Sequence, residues 1–145
     1  IKAVGGWEKE NKLADKVSPR LMWLCRWIIP VLSLILVPVM LYSAMGVSFD
    51  MGRIVCSILG IMFIIIGNYL PKCRRNGVVG IKIPWTLSSD ENWDKTHRFA
   101  GFVWIVCGAA AIVGGWTKPV VAIVALVAMI LLPVVYSGIL KHKGI

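Results

Sequence analysis

The stretch VVAIVALVAMILLPVVYSGIL, residues 120–140, contains no charged side chain. It has the roughly 20 residues that an α-helix needs to cross a hydrocarbon core about 30 Å thick. Three other stretches read the same way: about Leu24 to Ala44, about Gly52 to Leu70 and about Phe99 to Trp116. In each, apolar residues form a continuous block and do not recur at a helical or strand period, the pattern expected of chains dissolved in lipid. The full chain of 145 residues is 58% hydrophobic, with a mean hydropathy of +0.79. A soluble domain of this length could bury only part of such a surface. The sequence therefore predicts an all-α, polytopic membrane protein: a four-transmembrane-helix bundle made of two helical hairpins with a structured cytoplasmic loop.

The expected organisation is an N-terminal cytoplasmic segment or linker over residues 1–22, followed by a four-helix membrane domain over 23–145. Within it, spans of about 24–44, 52–70, 99–116 and 120–140 surround a loop at 71–98. Pro38 should kink the first span, and Pro133 lies near the end of the fourth. The chain starts at Ile1 and not at Met, so it is expected to be part of a longer protein.

The formal net charge is +9, with 16 Lys and Arg against 7 acids. Fourteen of those cations fall in the N-terminal segment and start of the first span, in the central loop, or at the C-terminus, and only Arg53 and Lys118 mark the other side. The positive-inside rule then places both termini and the central loop in the cytoplasm. Direct nucleic-acid binding is not expected, since the cations flank apolar spans and no nucleic-acid motif is present; anionic lipid head groups account for them better. Cys25, Cys56, Cys73 and Cys107 are widely spaced, with no CxxC pair or Cys/His cluster, so neither a metal site nor a cofactor is expected. Gly52, Cys56 and Gly60 recur every fourth residue on the second span, as do Cys107, Ala111 and Gly115 on the third. Such small-residue stripes either hold a bundle together or form the face of a homo-oligomer.

The central loop carries the polar detail. Pro71 should end the second span, Asn76-Gly77 signals a turn, and Pro84 should hold Ile83 extended. Ser88 with Glu91 three residues on fits a capping box, so a helix should begin near Ser89 and run into the third span. On it Trp93, His97, Ala100 and Trp104 share a face, with Glu91–Lys95 and Asp94–Arg98 as i, i+4 ion pairs. One reading is an aromatic belt beside an interfacial histidine. The other is a binding surface of Trp85, Trp93, His97 and Arg98 for a peptide or lipid.

Two alternatives belong to other classes. Asp90, Glu91, Asp94 and His97 offer acid–base groups for a membrane enzyme, but no HExxH motif, second nearby histidine or nucleophile motif accompanies them. A small transporter or channel would need polarity at mid-membrane, where Tyr42 and Ser57 give thin support.

The ordered set Gly67-Asn68-Tyr69-Leu70-Pro71-Lys72, Asn76, Gly80-Ile81-Lys82, Pro84-Trp85-Thr86-Leu87, Trp93 and Thr96-His97-Arg98 resembles the signature of the SdpI family, most closely over about Gly60 to Gly101. Lys82 stands where Arg is common, and Ile83 precedes Pro84. The resemblance implies a bacterial membrane immunity protein, not an enzyme, giving resistance to a secreted, membrane-active peptide toxin. It also implies signalling, in which the toxin-engaged protein holds a transcriptional repressor at the membrane, and further spans upstream. The candidate ligand- or partner-binding residues are Asn68, Pro71, Trp85, Thr86, Trp93, His97 and Arg98, with membrane lipids, a peptide toxin and a cytoplasmic repressor as the implied partners.

Overall fold

The computed structural model describes residues 19–48, 50–76 and 79–145. The expected N-terminal segment therefore lies almost wholly outside the described residues, and so does Gly77 of the Asn76-Gly77 turn. The elements in order are α1 (Pro19–Ala44), α2 (Met51–Tyr69), a 3₁₀ turn (Leu70–Lys72), α3 (Pro84–Ser88), α4 (Asp90–Trp116) and α5 (Pro119–His142). Four helices are long and apolar enough to cross a membrane, over Met22–Ala44, Met51–Lys72, Asp90–Trp116 and Pro119–His142. The protein is a multi-pass membrane protein.

Local chemistry sets the helix limits. The carboxylate of Asp50 caps α2 by accepting from the Arg53 N–H at 3.2 Å. Pro71 follows directly on the last residues of α2, where the chain tightens into the 3₁₀ turn. Ile83 is extended ahead of Pro84, with φ −109° and ψ 149°, as the proline ring demands. The start of α4 differs by one residue from expectation. Ser89, not Ser88, is the cap, and its hydroxyl accepts from the Asn92 N–H at 3.2 Å. Ser88 closes α3 by donating to the Trp85 carbonyl at 2.9 Å. Asp90 and Glu91 then occupy the first turn of α4, where carboxylates complement the helix dipole. No break separates this polar start from the apolar remainder, so the site and a membrane span share one rigid helix.

Helix α4 is the centre of the bundle, packing against α2 and α5. The contact with α2 is made backbone to backbone. A Cβ at Gly60 would lie 2.6 Å from the Gly108 carbonyl oxygen, and one at Gly101 would lie 2.6 Å from that of Gly67. The two helices are thus antiparallel, and their glycines recur at seven-residue spacing. The expected four-residue stripes contribute in part. Cys56 meets Gly115 and Ala111 is buried, but Gly52 is exposed.

The α4–α5 hairpin is tight. A Cβ at Gly114 would lie 2.5 Å from the Ala122 nitrogen, and Phe99 stacks on Tyr136 with ring centroids 4.4 Å apart. Pro133 sits inside α5 and cannot supply the N–H that the Met129 carbonyl would normally receive. The Trp104 indole N–H on α4 donates to that carbonyl at 3.2 Å. The α1–α2 hairpin is open by contrast. None of the apolar stretch of α1 is buried. A cleft of about 700 Å³ separates it from α2 and α4, lined by Trp23, Trp27, Val31, Met62, Tyr69 and Trp104 among others.

Candidate functional site

The loop between α2 and α4 folds over the first turns of α4. Its innermost pair is Trp93 and His97, stacked at 4.0 Å between centroids with 19° between ring planes. Both are almost completely buried, at 0% and 1% exposure. The Trp93 indole N–H donates to the Cys73 carbonyl at 2.9 Å. The His97 Nε2 accepts from the Ile81 N–H at 3.0 Å, and its Nδ1 lies 2.8 Å from the Trp93 carbonyl. An acceptor at Nε2 assigns the proton to Nδ1, so the imidazole is neutral and fully engaged. Gly80 makes this packing possible. It has φ +130°, and a Cβ there would fall 2.5 Å from His97 Nε2 and 2.8 Å from the Trp93 ring.

Two side chains hold the rest of the loop. Asn76 is buried. Its Nδ2 donates to the Arg74 carbonyl at 2.8 Å, and its Oδ1 accepts from the Val79 N–H at 2.7 Å. Thr86 is also buried. Its Oγ1 accepts from the Ile83 N–H at 3.0 Å and lies 2.8 Å from the Ile81 carbonyl, to which it donates. Arg75 ties the start of the loop to its end, donating to the Leu87 carbonyl at 2.6 Å and pairing with Asp90 at 2.7 Å. Burial pushes the Cys73 thiol up, with Cys25 adding to the shift.

A second buried cluster joins the loop to α5. The Trp85 indole N–H donates to Ser137 Oγ at 2.7 Å, and Lys141 lies over the Trp85 ring at 4.8 Å from its centroid. The Ser137 hydroxyl donates to Asn92 Oδ1 at 3.2 Å, and so does the Thr96 hydroxyl at 3.1 Å. The Asn92 Nδ2 returns bonds to the carbonyls of Ser137 at 3.3 Å and Ile145 at 3.1 Å. Asn92, Thr96 and Ser137 are each 0% exposed, so water cannot replace the bonds among these three side chains.

The seven candidate residues therefore divide. Trp93, His97 and Thr86 are internal, and Trp85 is half-buried beneath Lys141. Asn68, Pro71 and Arg98 are exposed, with the Pro71 ring against Gly101. The expected aromatic surface of Trp85, Trp93, His97 and Arg98 is thus an internal support with an exposed rim. Glu91 pairs with Lys95 at 2.7 Å. Asp94 is exposed and forms no ion pair with Arg98. With Asp90 and Glu91 engaged by cations and both imidazole nitrogens bonded to backbone, the acid–base set is not assembled. Among the described residues no group of three or more His, Cys, Asp or Glu could hold a metal. Sequence reasoning missed Asn92, Thr96 and Ser137. Their signal was available: a lone hydroxyl in an apolar span and an i, i+4 polar pair at the membrane boundary.

The sequence pattern of the SdpI/YfhL protein family matches residues 72–137. The immunity protein SdpI of Bacillus subtilis (strain 168) is 28% identical over 102 residues, covering 70% of this chain and 49% of that relative. The chain thus spans about half the length of the curated relative it matches. No solved structure matches. The Trp93–His97 stack and the Asn92, Thr96 and Ser137 side chains fall inside the matched stretch, and over residues 72–137 this chain is similar to the SdpI/YfhL protein family.

Proposed function

We propose that the protein confers immunity on a bacterial cell against a secreted peptide that damages its membrane. The observation that carries this reading is the kinship with an immunity protein over the loop, α4 and most of α5, where the chain concentrates its buried polar chemistry. The reading has three finer parts. The loop and both termini face the cytoplasm, as the cation distribution favours. The peptide toxin is met within the lipid by the spans. The loop rim at Asn68, Pro71 and Arg98 then presents a surface that holds a cytoplasmic transcriptional repressor at the membrane.

The mechanism follows from the rigidity of α4. Its apolar part faces α2 and α5, and its polar start is the floor of the loop. A peptide bound against the spans can alter the rim only if it binds two arrangements of the bundle with different affinity. The buried Trp93–His97 stack serves as the support that keeps the rim in one arrangement until then.

The test is protection. The chain is expressed in a toxin-sensitive strain, and membrane potential is followed after the secreted depolarising peptide is added. Protection by the wild type is expected. Arg98→Ala should protect as well as wild type and lose repressor recruitment. Unprotected cells holding normal amounts of inserted protein would overturn the immunity reading. Orientation is tested separately with a cysteine at exposed Lys143. A membrane-impermeant thiol reagent should reach it only after the cells are opened.

A further inference from the structure

Helix α5 is held to α4 in two places, and Pro133 lies between them. On the membrane side, Trp104 bonds the Met129 carbonyl that Pro133 leaves without its helical donor. On the loop side, four residues beyond Pro133, Ser137 bonds both Trp85 and Asn92. The segment between lacks one rung of the helical ladder, which lets its two ends move separately. Gly138 follows Ser137, and a Cβ there would meet nothing within 4 Å. Packing therefore does not require glycine at this position, and its presence loosens the same segment.

Ser137 is a single hydroxyl serving two elements. It accepts from the indole of Trp85 on α3 and donates to the amide of Asn92 on α4, while its own carbonyl receives the Asn92 NH₂. Trp85 is in turn covered by Lys141, one helical turn further along α5. Withdrawal of the end of α5 would break all of these contacts together. It would also leave the Trp85 N–H without its acceptor and the Asn92 NH₂ without its two carbonyls, losses that fall together and make the change two-state and not gradual.

We propose that the part of α5 beyond Pro133 is a latch that holds the cytoplasmic loop closed, with Ser137 as its positioning residue. The latch rests on the proposed immunity reading only for what opens it, a peptide displacing α5 within the bilayer. The closed state itself is a property of this chain.

Cys73 provides a natural reporter. It is buried under the loop, and its carbonyl is held by Trp93, so its thiol reacts only when the loop opens. Membranes containing the full chain are treated with N-ethylmaleimide, and peptide mass spectrometry follows each cysteine. Cys56 and Cys107 lie in the spans and report unfolding of the bundle. Ser137→Ala should raise the Cys73 rate roughly tenfold, the effect of orphaning one buried hydrogen-bonding group. Trp85→Phe keeps an aromatic ring but loses the indole N–H, and it should raise the rate by less. Gly138→Ala should lower it. In all three variants Cys56 and Cys107 should react at the wild-type rate. An unchanged Cys73 rate in Ser137→Ala, or a rate that rises together with those of Cys56 and Cys107, would overturn the latch. Adding the depolarising peptide to wild type separates the two proposals. Faster Cys73 labelling supports both. If only Ser137→Ala speeds labelling, the latch stands and peptide sensing falls.

Discussion

The apolar stretches of α1 and α4 are similarly hydrophobic, yet none of the first is buried and the second is the axis of the bundle. Their small residues explain the difference. Over Pro19–Ala44 the α1 sequence contains no glycine. Over Asp90–Trp116 the α4 sequence contains Gly101, Gly108, Gly114 and Gly115. Lipid tails solvate Leu and Ile as well as another helix does, so hydrophobicity supplies insertion but no association. Close approach of backbones supplies association, and α4 can approach on two sides. The comparison teaches that span length and span packing are written in different residues.

The strongest way to break α4 away from its neighbours is at the glycines. In Gly101→Ala the new Cβ would meet the Gly67 carbonyl oxygen and the Pro71 ring, neither of which can yield by rotating a side chain. A loss of about 2–4 kcal/mol is expected, measured by unfolding the protein from mild micelles into SDS. Gly52→Ala is the control on α2. Its nearest neighbour would be the Asp50 carboxylate at 3.4 Å, and it should be neutral. Since Ala favours the helix over Gly, a Gly101→Ala protein as stable as Gly52→Ala would show that the close backbone contact does not require glycine.

This division also accounts for what could be read from the sequence. Four spans, the stop at Pro71, the extended Ile83 and the unbroken run of α4 into the membrane all follow from local rules of hydropathy and backbone sterics. The Gly60–Gly108 and Gly67–Gly101 pairs do not. A small-residue stripe shows its face only once the partner helix and register are known, so a four-residue spacing on α2 drew attention away from the seven-residue one. The site was half legible for a related reason. Trp93, His97 and Trp85 stand out by residue type, but their burial depends on Gly80 and on Ser137, residues distant in sequence whose roles are set by the fold. Aromatic residues beside a bilayer suggested a surface, whereas here the loop folds over them.

A smaller effect, confined to the loop, is expected at Gly80. Its φ of +130° is strained for any residue with a side chain, and a Cβ would press on His97 and Trp93. Gly80→Ala should cost about 1–3 kcal/mol. The cost should appear in the loop alone, as faster alkylation of Cys73 with unchanged SDS unfolding of the spans. If the spans also loosened, the loop would be part of the bundle's cooperative unit. Smaller still is Trp104→Phe, which keeps the ring edge against Phe63 but leaves the Met129 carbonyl without a donor. About 1 kcal/mol is expected in the SDS titration.

The smallest effect is expected on α1, and it bears most directly on the comparison. Leu34 is 76% exposed, so Leu34→Ala should change stability by less than about 0.5 kcal/mol, as at an unpacked position. Yet α1 carries two interior prolines, Pro30 and Pro38, which deprive the Arg26 and Leu34 carbonyls of their helical donors. In α5 the same deficit at Met129 is met by an indole from α4. In α1 no such donor is present among the described residues, although an unpaired carbonyl in hydrocarbon is costly. Two measurements sharpen the contrast. In dilute detergent Leu34→Ala should be neutral. In membranes, at native density, it should remain neutral if only lipid covers this face. A loss of about 2–5 kcal/mol in membranes alone, the cost of truncating a packed leucine, would mean that another helix covers this face. The α1–α2 hairpin would then be open only because its partner was missing, and the difference between α1 and α4 would lie in where each finds its neighbour.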